Sequence, residues 1–243
     1  REMDAAGVRR AVIVPPMWEG DRNDLALAAA AAEPDRLAVM GRVDIETEAT
    51  RRLLPDWRRQ PGMLGLRMVF HRPRYRPLLE ERKLAWLWEG AEEAGIPIMV
   101  LVHPDQLHFI DEIAAAHPRL RLVLDHMAVH SREKGAAAFA DFDKTLALAR
   151  RPNVALKASA LPGFADDAYP YRVLHPYIRS AVEAFGRERV FWGTDLTRLP
   201  CTYRQAVTMV TEEIPWLSET DREWIMGRGL CEWLGWPAGG AAR

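Results

Sequence analysis

Short apolar runs rich in Val, Ile and Leu recur at intervals of roughly 25–35 residues, each followed by a helical stretch, which is the signature of a βαβ repeat. No other feature constrains the fold as strongly. The runs are Ala11–Val14, Leu37–Val43, Gly65–Phe70, Pro97–Val102, Leu120–Asp125, Val154–Ala158 and Val190–Trp192. Each is mostly apolar rather than alternating, as expected of parallel strands covered on both faces. Boundary signals separate them. Asp21 or Asn23 can cap the first helix after a strand, and Ala94–Gly95 stops the helix before the fourth run. Pro118 and Pro152 each close a helix just ahead of a strand, because proline disfavours helix in the residue before it.

The chain opens on REMDAAGVRRAVIV, which reads as the second half of a helix and implies that one more strand preceded it. Seven visible strands plus one make a (β/α)8 TIM barrel whose first strand is absent from the sequence. At 243 residues the length fits one such barrel. A doubly wound open sheet would call for a glycine-rich phosphate turn after its first strand. None is present. No Gly-, Ser- or Pro-rich linker divides the chain, so residues 1–243 read as one N-terminally truncated barrel domain.

Composition removes several functions. A net charge of −1 argues against a nucleic-acid-binding surface. No run approaches the ~18 apolar residues that a membrane span needs. Only Cys201 and Cys231 are present, which excludes a disulfide framework and fits a reducing, cytoplasmic setting. The partner expected is therefore a small-molecule substrate. The tryptophan-rich end (Trp216, Trp224, Trp233, Trp236) reads equally as a homo-oligomer contact or as packing across outer helices.

In such barrels chemistry sits where strands end. His103 ends IPIMVLVH, His126 ends LRLVLDH and Asp195 ends VFWGTD. Taken singly, each has an ordinary explanation, the histidines as loop residues and the aspartate as a helix N-cap. Taken together, imidazoles and a carboxylate at the same end of three strands form a ligand set that zinc and similar divalent ions prefer. Arg67 and Lys157 lie inside apolar strands, where an unpaired charge costs several kcal/mol. They either point into a polar mouth or pair with acids there. His71, His130 and Tyr203 fall on mouth loops, as does Cys201, which lacks an evident activating partner for nucleophilic chemistry.

With GLR at Gly65–Arg67, LVHPDQL, LDHMA, LKAS at Leu156–Ser159, WGTD and the closing MGRGLCEWLGW, the sequence resembles the amidohydrolase superfamily, in the amidohydrolase 2 branch. That branch includes aminocarboxymuconate-semialdehyde-type decarboxylases and pyrone-dicarboxylate lactonases. The resemblance implies a metal-dependent hydrolase in which His103 and Asp195 help hold one divalent ion, zinc first among candidates. It implies His126 as a general acid/base that titrates near neutral pH and Asp195 as a second proton acceptor. Arg67, Lys157, Arg198 and His71 would bind a carboxylated substrate. Two departures stand out. The H-x-H pair that members carry on their first strand is missing along with that strand, which leaves the metal site incomplete. Arg67 stands where binuclear members place a carboxylated lysine or a glutamate, which favours one metal or none. Some lactonases of the branch work without metal, and there His126 and Asp195 would activate water. The reaction implied is hydrolysis of a lactone or amide-like C–O or C–N bond. The alternatives are non-oxidative decarboxylation of an aromatic or muconate-like acid, and a non-catalytic ligand-binding barrel.

Overall fold

A computed structural model describes residues 1–129 and 132–237. All seven expected strands form: β1 (Ala11–Ile13), β2 (Leu37–Gly41), β3 (Met63–Val69), β4 (Ile98–Leu101), β5 (Leu122–Leu124), β6 (Val154–Ala158) and β7 (Val190–Trp192). They make one parallel sheet in which every strand pairs with the next in sequence. The fold is a (β/α)8 barrel of which these are seven strands. Among the described residues β1 pairs only with β2, and β7 only with β6. No helix is long and apolar enough to cross a membrane.

Strand alternation sends successive side chains to opposite faces. Val39, Leu66, Ile98, Leu122, Val154 and Val190 face outward, where they pack with Ala30, Leu87, Ile110 and Ile178 of the surrounding helices. Their neighbours Met40, Met99, Val123, Ala155 and Phe191 form a second cluster on the concave face. Met40, Met99 and Phe191 are among the largest fully buried side chains. Each contributes roughly 1.5–3 kcal/mol by leaving water. Gly65, where the β2–β3 register shifts, has to be glycine because a Cβ there would collide with the Pro97 carbonyl oxygen.

The last helix, Gly229–Leu234, closes the end of the barrel at which the strands begin, and Leu234, Trp233 and Trp236 join the inner cluster. Arginines just ahead of alternate strands hold it there. Arg58, before β3, donates to the Leu234 carbonyl (2.9 Å). Arg121, before β5, donates to the carbonyls of Glu232 (3.2 Å) and Trp233 (2.7 Å). Arg10, before β1, lies 3.6 Å over the Trp236 ring. Two of these are cationic caps on orphan carbonyls at a helix C-terminus. Trp233 and Trp236 are thus accounted for as part of the barrel floor.

One expected cap works differently. Asn23 stands at the N-cap of the helix Asp24–Ala32, but its side chain makes no cap bond. Its amide clasps the backbone of Arg42 instead, donating to the carbonyl (2.8 Å) and accepting from the N–H (2.7 Å).

Candidate active site

Every strand that carries a reactive side chain delivers it at its C-terminal end. β3 supplies Arg67, β5 leads into Asp125 and His126, β6 carries Lys157 and leads to Ser159, and β7 leads to Asp195. The backbone is forced at this rim. His126, Met127 and Ala128 all have φ near +55°, Ala160 after β6 has φ 60°, and Asp195 after β7 has φ 55°. Non-glycine residues in this left-handed region cost roughly 1–2 kcal/mol each. Strain at the ends of three consecutive strands marks a rim whose side-chain directions are imposed by the surrounding structure.

Beneath it, Asp125 is fully buried. Arg67 Nε donates to its Oδ2 (3.0 Å), and the Lys157 ammonium pairs with its Oδ1. Burial by itself would raise the Asp125 pKa, but Lys157 and then Arg67 outweigh it and hold the carboxyl well below the usual range. The two cations buried in apolar strands are therefore paired, and the acid between them belongs to the same LDH tripeptide as His126. Asp125 was not foreseen as a functional residue. It could have been, since two cations inside apolar strands require a carboxylate within reach.

His126 stands directly above. Its Nδ1 lies 2.8 Å from the Ser159 hydroxyl, and its Nε2 lies 3.7 Å from Asp195 Oδ2. The second distance is too long for a direct hydrogen bond. An oxygen atom seated over both groups could still touch each of them. The His126 side chain is 14% exposed and that of Asp195 29%, so the pair faces a restricted opening. Burial above all pushes the imidazole down to about 4, with Lys157 adding to the shift and Asp125 and Asp195 opposing it. His126 therefore does not titrate near neutrality as the sequence reading expected. It is a neutral imidazole at pH 7, held so by desolvation. Asp195 occupies an N-cap position but makes no side-chain cap bond. Its carboxylate serves the mouth and not the turn.

The remaining candidates spread around the rim. The His103 ring meets His71 edge to face at 6.0 Å, and its backbone N–H donates to Gln106 Oε1 (3.0 Å). A cavity of about 360 Å³ borders His103, Arg76, Ala128, Phe139 and Phe142, to one side of the His126–Asp195 pair. Arg198 is exposed on the turn after Asp195. Tyr203 stacks on Trp192, and burial raises its phenol pKa. Burial likewise raises the Cys201 thiol, which disfavours a thiolate nucleophile. His130 lies outside the described residues. Sequence reasoning missed Arg42, which follows β2 and is only 5% exposed. The signal was there: an arginine interrupting LAVMGRV resembles Arg67 interrupting GLRMV.

A structural or catalytic zinc ion takes at least three protein donors. Among the described residues no group of three or more His, Cys, Asp or Glu side chains is placed to hold one. His103 and Asp195 alone supply two of the three donors that a zinc site takes.

Residues 1–228 match the sequence profile of the amidohydrolase family (Amidohydro_2). The chain is 28% identical over 198 residues to the L-fucono-1,5-lactonase of Burkholderia ambifaria, a match covering 78% of this chain and 65% of that enzyme. Among solved structures it resembles an amidohydrolase from Burkholderia multivorans with bound zinc, at 22% identity and TM-score 0.81, covering 97% of this chain and 86% of that one. It also resembles a probable 2-pyrone-4,6-dicarboxylic acid hydrolase from Acinetobacter baumannii with citric acid bound. That match has 19% identity and TM-score 0.74, and covers 97% of this chain and 86% of the other.

Proposed function

The chain belongs to the amidohydrolase family of enzymes, and on that premise we propose that it hydrolyses the ring ester of a small carboxylated lactone with water activated at Asp195. The observation that carries this reading is the pairing of His126 and Asp195 across 3.7 Å at the strained rim. The similarity to a fucono-lactonase and to a pyrone-dicarboxylic acid hydrolase supports the choice of substrate class.

The roles follow from the charge states. A buried imidazole that resists protonation is a poor base but a good neutral hydrogen-bond donor. Assigning the Ser159 hydroxyl as donor across its 2.8 Å contact with Nδ1 places the proton of His126 on Nε2, where it points at the substrate carbonyl oxygen. Asp195 takes a proton from water as the water oxygen bonds to the carbonyl carbon. The carbonyl oxygen becomes an oxyanion, held by His126 Nε2–H, with Lys157 and Arg67 beneath adding positive potential. Collapse of that intermediate breaks the ring C–O bond, and the departing oxygen recovers the proton from Asp195. The product is a hydroxy acid. The described residues do not complete a metal site, so no step is assigned to a metal ion.

The test is a panel of five- and six-membered lactones, with and without a free carboxylate, assayed in 18O-water. One labelled oxygen should enter the new carboxylate. Asp195→Asn should lower kcat by about 10²–10⁴-fold. Carbon dioxide release without label would replace hydrolysis by decarboxylation, and full activity in Asp195→Asn would remove the assignment.

A further inference from the structure

The arginine after β2 is built as a site. Its guanidinium is anchored on one side, where Nε donates to the Gly20 carbonyl (3.1 Å) and Nη2 pairs with Asp21 (3.2 Å). Its backbone is clasped at both N–H and C=O by Asn23. Yet Nη1 is buried and has no hydrogen-bond partner among the described residues. Nearly all buried polar groups in folded proteins are satisfied, so a charged donor fixed in place and left empty needs a reason.

Its position supplies one. Ala38 and Met40 belong to the inner cluster, and alternation carries the row on to Arg42, into the mouth. The register pairs Met40 with Gly65 and Gly41 with Leu66, which sets Arg42 beside Arg67. Two buried guanidiniums on neighbouring strands repel each other. The nearby acids do not relieve this, because Asp125 is occupied by Arg67 and Lys157, and Asp21 binds the far side of Arg42. Arg10 and Arg222 also leave Nε unpaired, but Arg10 lies on the barrel floor and Arg222 on an outer helix, away from the rim.

We propose that Arg42 Nη1, with Arg67 beside it, is the anchor for a free carboxylate of the substrate, separate from the carbonyl that reacts. Arginine suits the task, since its planar fork receives carboxylate oxygens directly. The inference takes its active site and its carboxylated lactone from the reading above and assigns the residue that holds the carboxylate.

The test separates binding from turnover. Malonate serves as the probe, titrated calorimetrically into the full chain. Wild type should bind it, Arg42→Gln should bind about 10- to 100-fold more weakly, and Arg42→Lys should lie between. His126→Gln should retain malonate affinity even where turnover is lost. A second measurement needs no variant: in wild type, malonate should shift the NMR resonances of the Arg42 guanidinium. Equal malonate affinity in wild type and a folded Arg42→Gln would overturn the assignment, as would unshifted Arg42 resonances at saturating malonate. Malonate binding that depends on Arg42, in a protein that hydrolyses no lactone, would uphold the anchor while refuting the proposed reaction.

Discussion

The hydroxyl of Ser159 lies 2.8 Å from Nδ1 of His126, while the other ring nitrogen faces Asp195. Ser159 is 1% exposed and immediately precedes the strained Ala160, so its hydroxyl has little freedom to turn elsewhere. Its contact fixes the plane of the imidazole. Gly193, at the end of β7, leaves the room this requires, since a Cβ there would sit 3.1 Å from that of Ser159.

Ser159→Ala should therefore lower kcat by about 5- to 30-fold, the worth of one orienting hydrogen bond, with KM little changed. Ser159→Thr, which keeps the hydroxyl, should recover part of the loss. Steady-state kinetics on any lactone the wild type accepts makes the check. A change in KM alone would show that Ser159 shapes the pocket and leaves His126 unaffected.

The Arg67–Asp125–Lys157 cluster makes a prediction about stability. Asp125→Asn leaves two cations facing each other in a buried site and should cost about 3–5 kcal/mol. Adding Lys157→Met to that variant removes one uncompensated charge and should restore part of the loss. Urea unfolding of wild type, both single variants and the double variant gives the coupling directly. Strictly additive losses would mean that Lys157 and Asp125 do not act as a pair.

How much of this was legible in the sequence depended on whether the cause was local. The strands were readable because burial on both faces demands continuous apolar runs, and even Leu37–Val43 differs from the observed β2 only at its end. His103, His126 and Asp195 were readable because a barrel collects strand ends at one rim. Distances across the rim were not, since residues 33 positions apart, such as His126 and Ser159, meet only through sheet register. Asn23 shows the same limit. Its type and position said N-cap, and a tertiary partner, the Arg42 backbone, took the side chain. His126 was read as a near-neutral acid/base because its identity is visible in sequence and its desolvation is not.

The barrel floor yields a third prediction. Arg121→Ala removes two hydrogen bonds to the last helical carbonyls and a cation placed 5.9 Å from the Trp233 ring. The expected cost is about 1–2 kcal/mol. Arg121 lies against Trp233, whose ring is 6.0 Å from that of Phe191. Tryptophan fluorescence should therefore shift at lower urea than the loss of activity. Coincident transitions would show that the floor and rim unfold as one unit.

Acid stability should depend on His126 in a defined window. Its ordinary pKa of 6.5 applies to the unfolded chain, whereas the folded barrel holds it at about 4. Between those values the unfolded state binds a proton that the folded state refuses, so stability falls as pH falls. The full difference corresponds to about 3 kcal/mol at most for this residue. Asp125 acts in the same direction at lower pH, because Lys157 and Arg67 hold its pKa down in the folded state. His126→Gln removes the imidazole and leaves Asp125 in place. Its urea midpoint should therefore change less than that of wild type between pH 7 and pH 4.5, and the two should converge toward acid. Parallel declines would mean that His126 is solvated well enough to accept a proton when folded, and the neutral hydrogen-bond donor assigned to it in catalysis would have to be abandoned.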